Sequence, residues 1–373
     1  MSTEIGLAVT GGRITSIRLT DDKGARIAGQ MRGDGSSWVP AGPLAYRRSY
    51  RAEVVATNSA GDTVTRTTQF TTMDEPTRRV VTSLNVANGQ VYGVAMPVTV
   101  AFDSEVPTSA RAAVERRLFV RTDPPQLGVW HWAPNGRQVS YRAPEFWRTG
   151  TEITVRAALE GLPIGKAGYG DADRTATARI GEKVTLDIDN ATKQMSVYKK
   201  DRLIRKIPVS LGKPSTPTSS GKMVIMEKHK STVFDTRGEP NGGYVVQVFD
   251  AQRLTWGGEF IHAAPWSVAD QGVRNVSHGC TNVSSENAAW LMQVTHVGDL
   301  VTITGTEVRV EQGNGWTVWD LSWGEFIKGS ALPVPAALRP SVVAAPPAAG
   351  SAPRGVTPSP TGGPGPTPTG GGR

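Results

Sequence analysis

Ile14-Thr15-Ser16-Ile17-Arg18-Leu19 alternates apolar and polar side chains, and the runs from Tyr50 to Ala56 and from Thr63 to Phe70 repeat the pattern on either side of Asn58-Ser59-Ala60-Gly61-Asp62. A period of two, broken by Gly, Asn and Asp, buries one face of a short strand and leaves no stripe for a helix to bury. This recurrence constrains the chain more than any other feature: it points to β-sandwiches, not a helix bundle. The 42 glycines and 26 prolines among 373 residues suit the turns that such strands need.

Residues 1 to 73 read as one small β-sandwich, and Met73-Asp74-Glu75-Pro76-Thr77 as a linker. Residues 78 to 181 repeat the theme, with strands expected at Val98–Phe102, Leu118–Arg121 and Glu152–Ala157 and one short helix from Ser109 to Arg116. Neither module carries paired cysteines, so "immunoglobulin-like" describes architecture only, and a spacer or docking role is expected of both. A new domain opens at residue 183 with the meander Val184–Asp189, Gln194–Lys199 and Leu203–Ser210. A Trp-rich segment, 306 to 330, follows it, with Trp316, Trp319 and Trp323 expected as a subdomain core clasping the preceding domain. From 331 to 373 the chain holds 11 of its 26 prolines and neither an acid nor an aromatic, a composition that buries too little apolar surface to offset its ordering entropy, so a disordered or extended Pro/Gly-rich tail is expected. The expected fold class is therefore mostly β: two sandwiches, a β-rich third domain with one or two helices, and a small C-terminal subdomain.

The net charge of +8 and pI near 9.7 favour contact with an anionic polymer. No block of Lys and Arg interleaved with aromatics occurs, which argues against nucleic acid. No apolar stretch nears the ~20 residues that span a bilayer. The first residues, MSTEIGLAVTGG, have neither a positive n-region nor an apolar h-region. An exported protein whose signal or anchor precedes this chain is the expectation, and a cytoplasmic one the alternative.

There is one cysteine, so a disulfide within the chain is impossible. Cys280 follows Gly279 directly, His278 lies two residues before it, and His262 lies further upstream. Imidazole favours the thiolate that a cysteine nucleophile needs. Glycine beside the nucleophile lets the backbone turn sharply, so that main-chain N–H groups can face a developing oxyanion. A helix capped by Ser284 or Ser285, with Glu286 in its first turn, is expected just afterwards. The residues alone leave three readings: a nucleophile, a buried small hydrophobe, or a zinc centre built from His262, His278 and Cys280. The zinc reading is disfavoured because His-x-Cys on one tight turn is an uncommon ligand spacing and no supporting acid is evident.

His262 together with Ser277-His278-Gly279-Cys280-Thr281-Asn282 resembles the fixed positions of the L,D-transpeptidase, or YkuD, catalytic domain: a His, a gap, then Ser/Thr-His-Gly-Cys, one residue and Asn. Upstream, Val209-Ser210-Leu211-Gly212-Lys213 and Thr216-Pro217-Thr218-Ser219-Ser220-Gly221 resemble that family's V-S-x-G and T-P-T-x-x-G segments. The resemblance covers residues 183 to 305. The whole layout is similar to mycobacterial-type enzymes with immunoglobulin-like modules in front and a Trp-rich segment behind. It implies a monomer without metal or cofactor, working outside the cytoplasm on peptidoglycan stem peptides and open to acylation by carbapenem β-lactams. Cys280 would be the nucleophile, His262 the base and His278 a further catalytic residue. Gly279, Ser277, Asn282 and Ala263 would shape and support the oxyanion site, and Tyr244 and Trp266 would contact substrate. Ala263 stands where many relatives have Ser; a carbonyl at that position would orient the imidazole equally well. The implied reaction is a 3→3 cross-link through a cysteinyl acyl-enzyme with loss of terminal D-alanine. The alternatives are an L,D-carboxypeptidase or endopeptidase, and a catalytically weak wall-binding protein.

Overall fold

The computed structural model describes residues 1–340, apart from positions 8, 33, 34, 36, 236, 238–242 and 244. The first sandwich packs a four-stranded sheet, built on Gly12–Asp21, Ser49–Asn58 and Thr63–Thr71, over a three-stranded sheet around Ser37–Pro40. Asn58 makes the expected turn, its Oδ1 accepting from the N–H groups of Ala60 and Asp62. Leu19, Trp38, Leu44 and Tyr50 form the small core. Val64, Arg66 and Thr68 of the edge strand remain exposed, because alternation marks a strand's faces without saying how far a small partner sheet reaches across them.

The second sandwich faces two four-stranded sheets, one containing Val98–Phe102 and Gln138–Arg142, the other Leu118–Asp123, Glu152–Ala158 and Asp173–Ile180. The helix Thr108–Glu115 covers one end. The chain is therefore mostly β with immunoglobulin-like sandwiches in front, as the alternating runs indicated.

The third domain is built on a six-stranded sheet in the order Arg202–Pro208, Gln194–Lys199, Val184–Asp189, Leu300–Thr304, Ser219–Val224, Val308–Arg309. Its meander turns tightly at Lys193, Lys200 and Asp201, all with positive φ. A second, four-stranded sheet joins the long hairpin Glu227–Asp235 and Val245–Arg253 to Phe260–Ala263 and Thr281–Val283. The helix Ser285–Val294 turns Ala288 and Leu291 into a core shared with Leu186, Val197, Ile261 and Val283. Ser284 caps it, accepting from the N–H of Asn287, as the sequence indicated.

The Trp-rich segment packs against the second sandwich as well as the third domain, where the sequence suggested a clasp on the third domain alone: Val308–Arg309 joins the six-stranded sheet, and Val224, Met226 and Leu300 share the tryptophans' core. Trp316, Trp319, Phe326 and Leu338 share one core with Val98, Val100, Trp130 and Trp132. Trp319 Nε1 donates to the Ala95 carbonyl at 2.7 Å. Polar contacts add to the third-domain side: Asp320 accepts from the N–H of Lys222, and Asn314 from that of Gly257. Residues 331–339, expected to lie in the disordered tail, are packed instead, because the buried Glu115 carboxylate accepts from the N–H groups of Ala331 and Leu332 and Leu338 is buried.

The second sandwich meets the third domain at Gly93, whose N–H donates to the Val297 carbonyl, and Ala95, whose N–H donates to Gly298. A side chain at position 93 would lie 2.2 Å from Asp299 Oδ1, so the contact requires glycine. Asp299 is fully buried there. Its Oδ2 accepts from the His296 N–H, while Oδ1 has no hydrogen-bond partner among the described residues. Burial pushes this carboxyl up to about 8. The folded state then keeps a proton that the unfolded chain releases near pH 3.8, so stability falls as pH rises from there to about 8 and levels off beyond. Asp299→Asn keeps the acceptor and removes the ionisation. Thermal melts from pH 5 to 9 should show the variant gaining on wild type as pH rises; parallel curves would refute the assignment.

Candidate active site

The loop that carries Cys280 is held by short-range bonds that its own sequence supplies. Ser277 Oγ donates to the Cys280 carbonyl at 2.6 Å and accepts from the Gly279 N–H at 3.1 Å. Gly279 has φ +121 with open space where a Cβ would be, so the backbone conformation, not crowding, demands glycine. The next residues enter the strand Thr281–Val283, where Asn282 exchanges backbone hydrogen bonds with Ser210.

The upstream motif forms the other wall. Thr218 is buried; its hydroxyl donates to the Gly279 carbonyl at 2.8 Å and accepts from the Gly212 N–H at 2.8 Å. The Lys213 N–H and the Thr216 hydroxyl both reach the Ser277 carbonyl, at 3.0 and 3.3 Å. A Cβ on Gly212 would lie 2.2 Å from the Thr216 carbonyl, so this glycine is required by close approach. The two segments matched separately in the sequence are thus one cradle: Gly212, Thr216 and Thr218 grip Ser277 and Gly279.

His262 comes from the neighbouring strand. Phe260–Ala263 pairs in parallel with Thr281–Val283, setting His262 opposite Asn282, two residues past Cys280. The imidazole is 4% exposed, and its Nδ1 lies 2.9 Å from the Ala263 carbonyl. A carbonyl only accepts, so Nδ1 carries the proton and Nε2 keeps its lone pair. Position 263 serves through its carbonyl, and Ala supplies that as well as Ser. Burial lowers the basicity of His262, and the Ala263 carbonyl offsets part of that. Phe234, from the long hairpin, meets the ring edge-on at a centroid distance of 5.2 Å.

His262, Ser277, His278, Cys280, Asn282 and Trp266 all border one cleft of about 710 Å³ beneath the hairpin. Cys280 is partly buried, and its thiol donates to the Gly258 carbonyl at 3.6 Å. Asn282 faces inward, its amide donating to Ser267 Oγ at 3.1 Å, which makes it a support of the turn Pro265–Ser267. Trp266 is 59% exposed on the rim, 6.1 Å from His262 between ring centroids. Gly279 lies in the loop, and Tyr244 lies outside the described residues. Among the described residues, no three His, Cys, Asp or Glu side chains are grouped to hold a metal ion.

Sequence reasoning missed Phe234, Gly258 and Glu259. Glu259 is a carboxyl at the back of the cleft that accepts from the Ser219 N–H at 2.7 Å and is pushed up by burial. Only the alternation of Thr232-Val233-Phe234 hinted at a side chain turned toward the cleft.

Residues 183–303 match the model of the L,D-transpeptidase catalytic domain, and residues 1–163 that of a bacterial Ig domain. L,D-transpeptidase 2 of Mycobacterium tuberculosis is 31% identical over 333 residues, covering 88% of this chain and 80% of that protein. L,D-transpeptidase 5 of the same species is 34% identical over 342 residues, covering 89% and 74%. The solved structure of the LD transpeptidase LdtMt1 in complex with imipenem superposes with a TM-score of 0.51 at 33% identity, covering 61% of this chain and all of that one.

Proposed function

The chain belongs to the L,D-transpeptidase family, and from that premise we propose that it forms 3→3 cross-links between peptidoglycan stem peptides, outside the cytoplasm, through an acyl-enzyme on Cys280. The observation that carries this reading is the pairing of strands Phe260–Ala263 and Thr281–Val283, which brings a buried, Nδ1-protonated His262 beside the nucleophile loop.

The thiol of Cys280 passes its proton to Nε2 of His262 as sulfur attacks the carbonyl of the third residue of a tetrapeptide stem. The oxyanion forms against the main chain beside Gly279, whose own N–H is taken by Ser277 Oγ and whose carbonyl is held by Thr218. Collapse breaks the bond to the terminal D-alanine, whose amine takes the proton from His262. The side-chain amine of the third residue on a second stem then attacks the thioester, gives its proton to His262, and regenerates the thiol as the new amide forms. Trp266 on the rim, with Tyr244, supplies contacts to the stem. Carbapenems acylate the same sulfur, as the imipenem complex of the similar LD transpeptidase suggests.

Incubation with purified disaccharide-tetrapeptide should yield dimers whose fragmentation shows a bond between two third residues, with one D-alanine released per dimer. Tripeptide without dimer would favour the L,D-carboxypeptidase, in which water takes the place of the amine. Neither product, with wild-type folding, would leave a wall-binding role.

A further inference from the structure

Two histidines border Cys280 in the cleft, and only one of them keeps a lone pair for the thiol's proton. Nδ1 of His262 is committed to the Ala263 carbonyl, which leaves Nε2 to accept. At His278 the contact is on the other side of the ring: Nε2 lies 3.0 Å from Lys213 Nζ. An ammonium has three donors and no acceptor, so in this pair Nε2 must offer its lone pair. The ring proton of His278 is then on Nδ1, and its Nε2 is occupied.

Lys213 is not a stray surface cation. Its own N–H donates to the Ser277 carbonyl at 3.0 Å, and its carbonyl accepts from the Thr216 N–H at 2.9 Å. Main chain and side chain of one residue thus hold Ser277 and His278 in succession, on the approach to the nucleophile. The rest of the cradle accounts for the loop's backbone without this ammonium: Thr218 and Thr216 take the Gly279 and Ser277 carbonyls. The Lys213 side chain therefore has a task of its own.

We propose that Lys213 is a positioning residue that fixes His278 as an Nδ1–H donor and occupies its Nε2, so that His262 is left as the proton acceptor for Cys280. The two imidazoles are thereby divided by their neighbours, a carbonyl for one and an ammonium for the other. Protonation of His278 at Nε2 would forfeit the Lys213 bond. The division of labour rests on the acyl-transfer reading above; the state of the His278 ring does not.

The test is ¹⁵N NMR of protein labelled at histidine, which reads each ring nitrogen as protonated or bearing a lone pair without any turnover. Near neutral pH, wild-type His278 should show a protonated Nδ1 and a lone pair on Nε2. Lys213→Met should mix the two tautomers, while Lys213→Arg, also a pure donor, should restore the wild-type pattern. Carbapenem acylation, read as rate of adduct growth, should slow ~10-fold in Lys213→Met and stay within about 3-fold in Lys213→Arg, the scale expected for a misplaced proton carrier. A wild-type His278 carrying its proton on Nε2 would overturn the proposal whatever the variants do, as would a Lys213→Met protein whose His278 resonances do not move. If instead His262→Ala acylates at the wild-type rate, the base assignment fails while the tautomer result is unaffected.

Discussion

Incubated with a carbapenem, the wild-type chain should gain one covalent adduct by intact mass, Cys280→Ala none, and His262→Ala should label on the order of 100-fold more slowly, the usual scale for loss of a positioned base. Cys280 is the chain's one cysteine, so a second labelled site on wild type would have to be another residue type and would refute the assignment. Cys280→Ala removes the donation to the Gly258 carbonyl, and the cradle bonds of Ser277, Thr218 and Thr216 do not run through the sulfur. Cys280→Ala should therefore melt close to wild type, which separates loss of chemistry from loss of fold. The pH dependence adds a sign. The base works only when neutral, and burial lowers the basicity of His262. Its neutral form thus persists below the ordinary imidazole range, and the acid limb of the labelling rate should lie below it. A limb at or above the ordinary value would mean that His262 is solvated in the working enzyme or is not the base.

How much of this was legible in the sequence follows from where each constraint is written. The loop around Cys280 is contiguous: Ser277 bonds to Gly279 and Cys280 within a few residues, so residue types and order carry the geometry. Strands with a period of two were also plain, and Val98–Phe102 and Val184–Asp189 fall where the alternation put them. The cradle was only half legible. Thr218 and Gly212 stood out as parts of a motif, but their grip on residue 279 depends on a sheet that brings distant segments together. The Lys213–His278 contact spans 65 residues, and neither residue type announces a partner. Buried charge was least legible. Glu115, Arg142 and Asp299 read as surface residues until the packing shows carbonyls, backbone N–H groups and aromatic rings around them. The Trp-rich segment was seen as a core with one neighbour, and its second neighbour, the second sandwich, was missed, because composition says that tryptophans will be covered and not by what.

The same buried charge leads to the second large effect, on stability. Arg142→Ala should detach the C-terminal segment from the second sandwich. Arg142 is 2% exposed, and among the described residues its guanidinium makes no ion pair, although the charge of Glu145 nearby favours its charged form. It donates to the carbonyls of Val318 at 3.2 Å, Ala143 at 3.2 Å and Leu321 at 3.0 Å. It also lies 4.4 Å from the Trp319 ring centroid and 4.3 Å from that of Phe326. Burial lowers its basicity to about 10, so it stays charged at neutral pH. Desolvating a cation is costly, and here carbonyl dipoles and the faces of three rings, Trp323 the third at 5.3 Å, offset that cost together with the charge of Glu145. Truncation to Ala strands two carbonyls of the C-terminal segment and opens a void between Trp319 and Phe326. Together these should cost about 3–5 kcal/mol, from roughly 1–3 for unsatisfied groups and ~2 for the lost ring contacts. Lysine should not rescue it, since one ammonium cannot fork to three carbonyls in a plane. The chain has several domains, so the loss is best read locally: hydrogen exchange should show Trp323–Leu338 losing protection while Val184–Asp189 keeps it. Proteolysis should nick the same stretch. Carbapenem labelling should fall only modestly, because the link from this segment to the cleft runs through Asn314 and Gly257 rather than through Arg142. Unchanged exchange at Trp323–Leu338 would mean that Trp319 and Glu115 hold the segment without the cation, through the Ala95 carbonyl and the Ala331 and Leu332 N–H groups.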